Sequence, residues 1–148
     1  MTIEFFLSKI NEVIIAVILA ALVPIKPLIV LVGVCIALDT AWGIYRSYRQ
    51  GKVINSRSLS AVISKMFLYQ MALILFFFID SFILNDIAKQ FTPVDLFLTK
   101  MVAAVLVSVE CLSILENIKL STGYDFIAMF KQALSRGKSI KNEVDNIL

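Results

Sequence analysis

Long apolar stretches separated by short charged segments dominate the hydrophobic pattern of this chain. Four such stretches cover residues 10–23, 28–45, 59–84 and 94–115. Each stretch is continuous and does not alternate with polar residues, which is typical of membrane-spanning helices and not of barrel strands. The pattern therefore predicts an all-α integral membrane protein with about four transmembrane helices, or three if the first stretch lies on the membrane surface.

Two boundaries follow from local sequence. The segment Pro24-Ile25-Lys26-Pro27 separates the first two stretches, because two prolines and a charge favour a turn at the membrane surface. After residue 120, apolar residues recur at helical spacing among basic ones, which predicts an amphipathic helix. We therefore expect a helical transmembrane domain over 1–120 and a cytoplasmic amphipathic tail over 121–148. The tail either lies on an anionic membrane leaflet or packs against a neighbouring subunit.

Composition and charge agree with a membrane protein. The chain has 148 residues, of which 59% are hydrophobic, and its mean hydropathy is +0.89. Its 46–57 loop carries four basic residues and no acid, and the tail is also rich in bases. The positive-inside rule places this loop and the C-terminus in the cytoplasm and the 85–95 loop outside. If the first stretch spans the membrane, the N-terminus is cytoplasmic as well.

Charged side chains also occur inside the apolar stretches, where an unpaired charge costs at least a few kcal/mol. They are Asp39, Lys65, Asp80, Lys100 and Glu110. At 1.5 Å per residue, Asp39, Lys65 and Glu110 lie about 10 Å from the cytoplasmic end, whereas Asp80 and Lys100 lie near the outer end. Each layer contains both signs, which predicts the pairs Asp39–Lys65 and Asp80–Lys100. Such pairs either hold the helices in register or line a water-filled path in an oligomer.

The residue types argue against catalysis. The chain contains no histidine, so a Ser–His hydrolase is excluded, and it has no metal-ligand spacing and no Gly-rich phosphate loop. We expect no enzyme activity, no cofactor and no metal ion. The basic 46–57 loop is explained by membrane topology, so nucleic-acid binding is not expected.

Three sequence elements together resemble the toxin-secretion/phage-lysis holin family. The first is Asp39-Thr40-Ala41-Trp42-Gly43, which is similar to an Asp-x-x-x-Gly element at the end of a membrane helix. A basic loop with serines and a helix running from Lys65 to Asp80 come next. The most specific element is the Glu-x-x-Ser-Ile-x-Glu-Asn octet, formed here by Glu110, Ser113, Ile114, Glu116 and Asn117. The resemblance covers about residues 28–120, and the chain departs from it after Gly123, where Tyr124 replaces an expected proline.

This resemblance implies a small protein of the bacterial inner membrane. Such proteins accumulate, form homo-oligomers and open lesions through which an endolysin or a secreted protein passes. Its partners would be the lipid bilayer, further copies of itself and that cargo. Two other classes stay open on the residues alone: a scaffold or accessory subunit of a larger membrane complex, and a small ion or proton channel.

Overall fold

The chain is helical almost throughout in the computed structural model, which describes residues 3–53 and 56–145 and contains no strand among them. Its described α-helices are α1 Ile3–Ala21, α2 Lys26–Arg49, α3 Ser56–Ile79, α4 Asn85–Phe91, α5 Phe97–Thr122 and α6 Phe126–Asp145. A 3₁₀ turn at Val23–Ile25 precedes α2, and a π-helical turn at Asp80–Leu84 connects α3 to α4. The predicted all-α fold with a C-terminal amphipathic helix is confirmed.

Local sequence sets the ends of α2. Pro24 lies in the 3₁₀ turn and Pro27 in the first helical turn, where a missing N–H group costs no intrahelical hydrogen bond. At the other end Gly51 has a φ of 65°, a left-handed conformation that glycine adopts without strain. The N–H of Lys52 bonds the Ser47 carbonyl at 2.9 Å, which completes a Schellman cap.

The described residues contain three helices that are long and apolar enough to span a membrane. They cover Val23–Arg49, Ser58–Phe91 and Phe97–Thr122. These spans coincide with the second, third and fourth predicted stretches. Helix α1 is not among them, because Glu4, Lys9 and Glu12 interrupt its apolar sequence. A fourth span over the first stretch therefore stays a prediction.

Two compact units are formed by the chain. One comprises Met1–Val34 and Ile63–Val107, and the other Cys35–Val62 and Ser108–Leu148. The core of the first unit consists of Ile25, Val32, Leu73, Phe77 and Ala103, with the polar residues Asp80 and Thr99. Buried in the second unit are Cys35, Ile36, Glu110, Asn117 and Ser121. Each unit thus buries polar side chains beside apolar ones. The predicted domain division at residue 120 stays a prediction.

Candidate functional site

The second unit joins two of the sequence elements singled out above. The Nδ2 atom of Asn117 on α5 donates a hydrogen bond of 2.9 Å to Oδ1 of Asp39 on α2. Asn117 is only 7% exposed and Asp39 is half-buried, so the bond is partly buried. Gly43 lies one turn after Asp39, and a Cβ added there would be 3.8 Å from the same Nδ2 atom. Gly43 thus lies next to the asparagine, and an added Cβ would make only an ordinary van der Waals contact with it.

The octet on α5 separates into inward and outward positions. Glu110 is fully buried, and Asn117, seven residues later, lies on the same helical face. Ser113 is half-buried, whereas Glu116 is exposed. The two carboxylates of the octet thus have different environments. Glu110 and Asn117 form an inward polar stripe, and Glu116 lies outside it.

A second polar cluster lies in the first unit, where the π-helical turn begins. Oδ2 of Asp80 accepts hydrogen bonds of 2.9 Å from both the backbone N–H and the Oγ1 hydroxyl of Thr99. Both residues are buried, at 1% and 0% exposure. Thr99 belongs to the first turn of α5, whose N–H groups have no intrahelical acceptors, so Asp80 caps α5 from another helix.

This cap gives Asp80 partners other than the predicted Lys100. Lys100 is exposed, and no ion pair joins it to Asp80 in the described part of the chain. Successive residues of a helix point about 100° apart, so the side chain of Lys100 leaves α5 in a different direction from that of Thr99. Asp80 instead takes a neutral hydroxyl and a backbone N–H as partners.

Lys65 lies on α3 in the first unit and is half-buried. Its Nζ atom is 6.0 Å from the centroid of the Tyr69 ring, one helical turn along α3, which is within the range of a cation–π contact. Asp39 belongs to the other unit. The predicted Asp39–Lys65 pair therefore stays a prediction.

Sequence reasoning missed two polar residues that connect helices of the first unit. Thr99 is one, and its position in the first turn after a loop was the available signal. The other is Gln70, whose Nε2 donates a 3.1 Å hydrogen bond to the Ile29 carbonyl on α2. A Cβ added to Gly33 would lie 3.8 Å from this Nε2 atom. The signal available in the sequence for Gln70 was an amide within an apolar run. The structure adds that this amide faces a glycine on another span.

The described residues contain no group of three or more potential metal ligands. What this geometry provides is polar contact between helices that are otherwise apolar. Such contacts hold helices in register in lipid, where each polar group needs a partner inside the protein.

Comparison with protein families gives a match over most of the chain. The model of a bacteriophage holin family matches residues 16–138. Neither the curated proteins nor the solved structures gave a match to the chain. The family match reaches beyond residues 28–120, over which the resemblance was recognised, and it includes the beginning of the tail. Since the match covers most of the chain and includes all three candidate spans, this multi-pass membrane protein belongs to the bacteriophage holin family.

Proposed function

We propose that the chain forms homo-oligomers in the bacterial inner membrane and opens lesions that let an endolysin or another protein leave the cytoplasm. Family membership over residues 16–138 is the observation that carries this proposal.

The low burial of the spans supports self-association. Only 17% of each span's most apolar window is buried inside the protomer. The remaining apolar surface must be covered by lipid or by other protein in the membrane. Exposed apolar surface alone gives little preference between these two, since lipid tails are as apolar as leucine. Polar contacts between helices supply the preference. Glu110 and Asn117 are buried inside the protomer, so they can supply it only by exchanging their partners there for groups of another copy.

The mechanism we propose is a change of partner. In dispersed protomers the polar groups Asp39, Glu110 and Asn117 stay inside the protein, with Lys65 as the predicted counter-charge. In a large assembly the same groups turn towards water along the wall of the lesion. A charged or amide group that faces water loses little when its protein partner is lost, whereas one that faces lipid loses several kcal/mol. This difference favours opening only where many protomers enclose water.

Orientation is part of the proposal. The positive-inside rule places the basic 46–57 loop and the basic tail in the cytoplasm and the 85–95 loop outside. With the N-terminus also inside, helix α1 spans the membrane as a fourth helix. With three spans, α1 lies at the outer membrane surface and the N-terminus is external.

Induced expression in bacteria tests the function. Three strains express the chain alone, a cell-wall hydrolase without an export signal alone, or both. We expect the chain alone to stop growth after a delay and to collapse the membrane potential, measured with a voltage-sensitive dye. Only the strain with both proteins should lyse, because in this proposal the hydrolase, and not this chain, cuts the peptidoglycan.

A matched pair of variants connects the phenotype with the polar stripe. Asn117→Leu should change the delay before growth stops, whereas Glu116→Leu, at the exposed neighbouring position, should leave it close to wild type. High-level accumulation with growth and potential intact would replace the proposal with the scaffold class. Loss of potential without lysis in the strain with both proteins would indicate a small ion channel.

A further inference from the structure

The connection between α5 and α6 is a defined corner. Gly123 has a φ of 82°, and its N–H bonds the Lys119 carbonyl at 2.9 Å, which closes the end of α5. Asp125 caps the start of α6 by accepting a 2.9 Å hydrogen bond from the Ala128 N–H. The second oxygen of Asp125 pairs with Lys119 Nζ at 2.6 Å. The Lys119 ammonium holds the pKa of the Asp125 carboxyl below its ordinary value, and the capped N–H of Ala128 adds to this.

Helix α6 has an apolar face that the rest of the described chain leaves largely exposed. Over residues 126–137, for which burial is described, the large apolar side chains are exposed: Phe126, Ile127, Met129, Phe130 and Leu134. Four of them join Leu112 and Leu115 of α5 around an open apolar cleft of about 670 Å³. Leu112 is itself 57% exposed on a membrane span, so the apolar face of α6 is continuous with a surface that lipid contacts.

Cationic side chains border this apolar face. At 100° per residue, Lys131 lies beside one edge of the face and Arg136 beside the other. Both are exposed, and residues 126–137 include no acid. Apolar residues on one side of a helix with bases at both borders are typical of helices that lie in the headgroup region of anionic membranes.

We propose that α6 lies along the membrane surface where α5 ends, with its apolar face inserted at the boundary of headgroups and acyl chains and with Lys131 and Arg136 against anionic lipid phosphates. The corner between α5 and α6 favours lipid, and not a second copy of the chain, as the partner that covers the apolar face of α6. Residues 123–125 span at most about 10 Å, so α6 begins within the interfacial region. The membrane is therefore within reach of every protomer at any concentration. This inference does not depend on lesion formation.

Depth-dependent quenching in proteoliposomes of the full-length chain tests the proposal. In a Trp42→Phe background, Phe130→Trp places a single reporter on the apolar face, and Leu134→Trp is a second reporter there. Ser135→Trp is the matched control on the opposite, exposed face. Phosphatidylcholine carrying brominated acyl chains quenches a reporter in lipid, and iodide quenches one in water. Vesicles are made with and without phosphatidylglycerol.

With phosphatidylglycerol present, we expect both apolar-face reporters to be quenched by the brominated lipid and shielded from iodide. The Ser135→Trp reporter should show the reverse. Lys131→Gln and Arg136→Gln should each lower the ratio of membrane-bound to free α6 by about fivefold in the anionic vesicles, at about 1 kcal/mol for each basic residue. The same substitutions should have little effect in phosphatidylcholine alone.

Two results would overturn the proposal. Apolar-face reporters that resist both quenchers, and become accessible when the protein is diluted into more lipid, would show that another copy covers the face. Reporters that iodide reaches in both kinds of vesicle would show that α6 extends into water. Neither result would affect the lysis experiment, which measures the whole chain in cells.

Discussion

The hydrogen bond between Asn117 and Asp39 should contribute measurably to the stability of the second unit. Asn117→Leu keeps the approximate volume of the side chain and removes the donor that lies 2.9 Å from Asp39 Oδ1. Hydrogen bonds to charged groups contribute about 1.5–3 kcal/mol in soluble proteins, but bonds between membrane helices average about 0.6 kcal/mol and reach about 1.7. Because Asn117 is almost fully buried, we expect about 1–2 kcal/mol.

A double-mutant cycle isolates this bond from the other interactions of the two residues. The cycle compares wild type, Asn117→Leu, Asp39→Leu and the double variant in detergent micelles titrated with sodium dodecyl sulfate. Unfolding is followed by the fluorescence of Trp42, which is half-buried on α2 and stacks edge-on against Tyr45 at 5.6 Å. We expect a coupling energy of about 1 kcal/mol.

Two further variants make the test specific. Glu116→Leu, next to Asn117 but exposed, should change the free energy of unfolding by no more than about 0.5 kcal/mol. Asp39→Asn should preserve much of the coupling, because its amide oxygen still accepts a hydrogen bond. A coupling energy within about 0.3 kcal/mol of zero, or a loss in Glu116→Leu equal to that in Asn117→Leu, would refute the reasoning.

Three other predictions follow from the same structure. Thr99→Val should lower the free energy of unfolding by about 1 kcal/mol. Asp80→Ala should lower it more, because the buried N–H of Thr99 then also loses its acceptor. Equal losses for the two variants in a detergent titration would contradict this prediction. Because the folded-state pKa of Asp125 is lowered, its stabilisation of the α5–α6 corner is present above the ordinary carboxyl pKa and is lost as the pH falls through the folded value. The fluorescence of the Phe130→Trp and Leu134→Trp reporters on α6 should therefore change only at acid pH, and Asp125→Asn should abolish that pH-dependent change. With both native cysteines replaced, an impermeant thiol reagent should label Lys89→Cys but not Lys52→Cys in intact cells, and the reverse labelling would invert the proposed topology.

Sequence reasoning worked best where the physical constraint is local. The break between α1 and α2 at Pro24 needs only the properties of the residues next to it. The three candidate spans follow from length and hydropathy, because lipid offers backbone groups no hydrogen-bond partner and so requires continuous helices. The octet on α5 pointed to the family that the model over 16–138 identifies.

The sequence was a weaker guide to which residue each buried charge contacts. Depth along the membrane correctly indicated that buried charges need partners, but it assigned Lys100 to Asp80. The structure instead gives Asp80 the hydroxyl and N–H of Thr99, one residue earlier. A shift of one residue changes depth by about 1.5 Å but rotates a side chain by about 100°, so depth alone could not distinguish the two candidates.

The sequence by itself determined that this is an all-α membrane protein, where its α2–α5 spans lie, and which polar residues are embedded in them, because hydropathy and turn-forming residues act over a few neighbouring positions. Only the tertiary structure decided that Asn117 bonds Asp39 beside Gly43, that Asp80 caps α5, and that the apolar face of α6 stays largely exposed over its described residues 126–137. Those contacts depend on how each helix is rotated about its axis and on where a corner directs the chain, and residues far apart in sequence set both together.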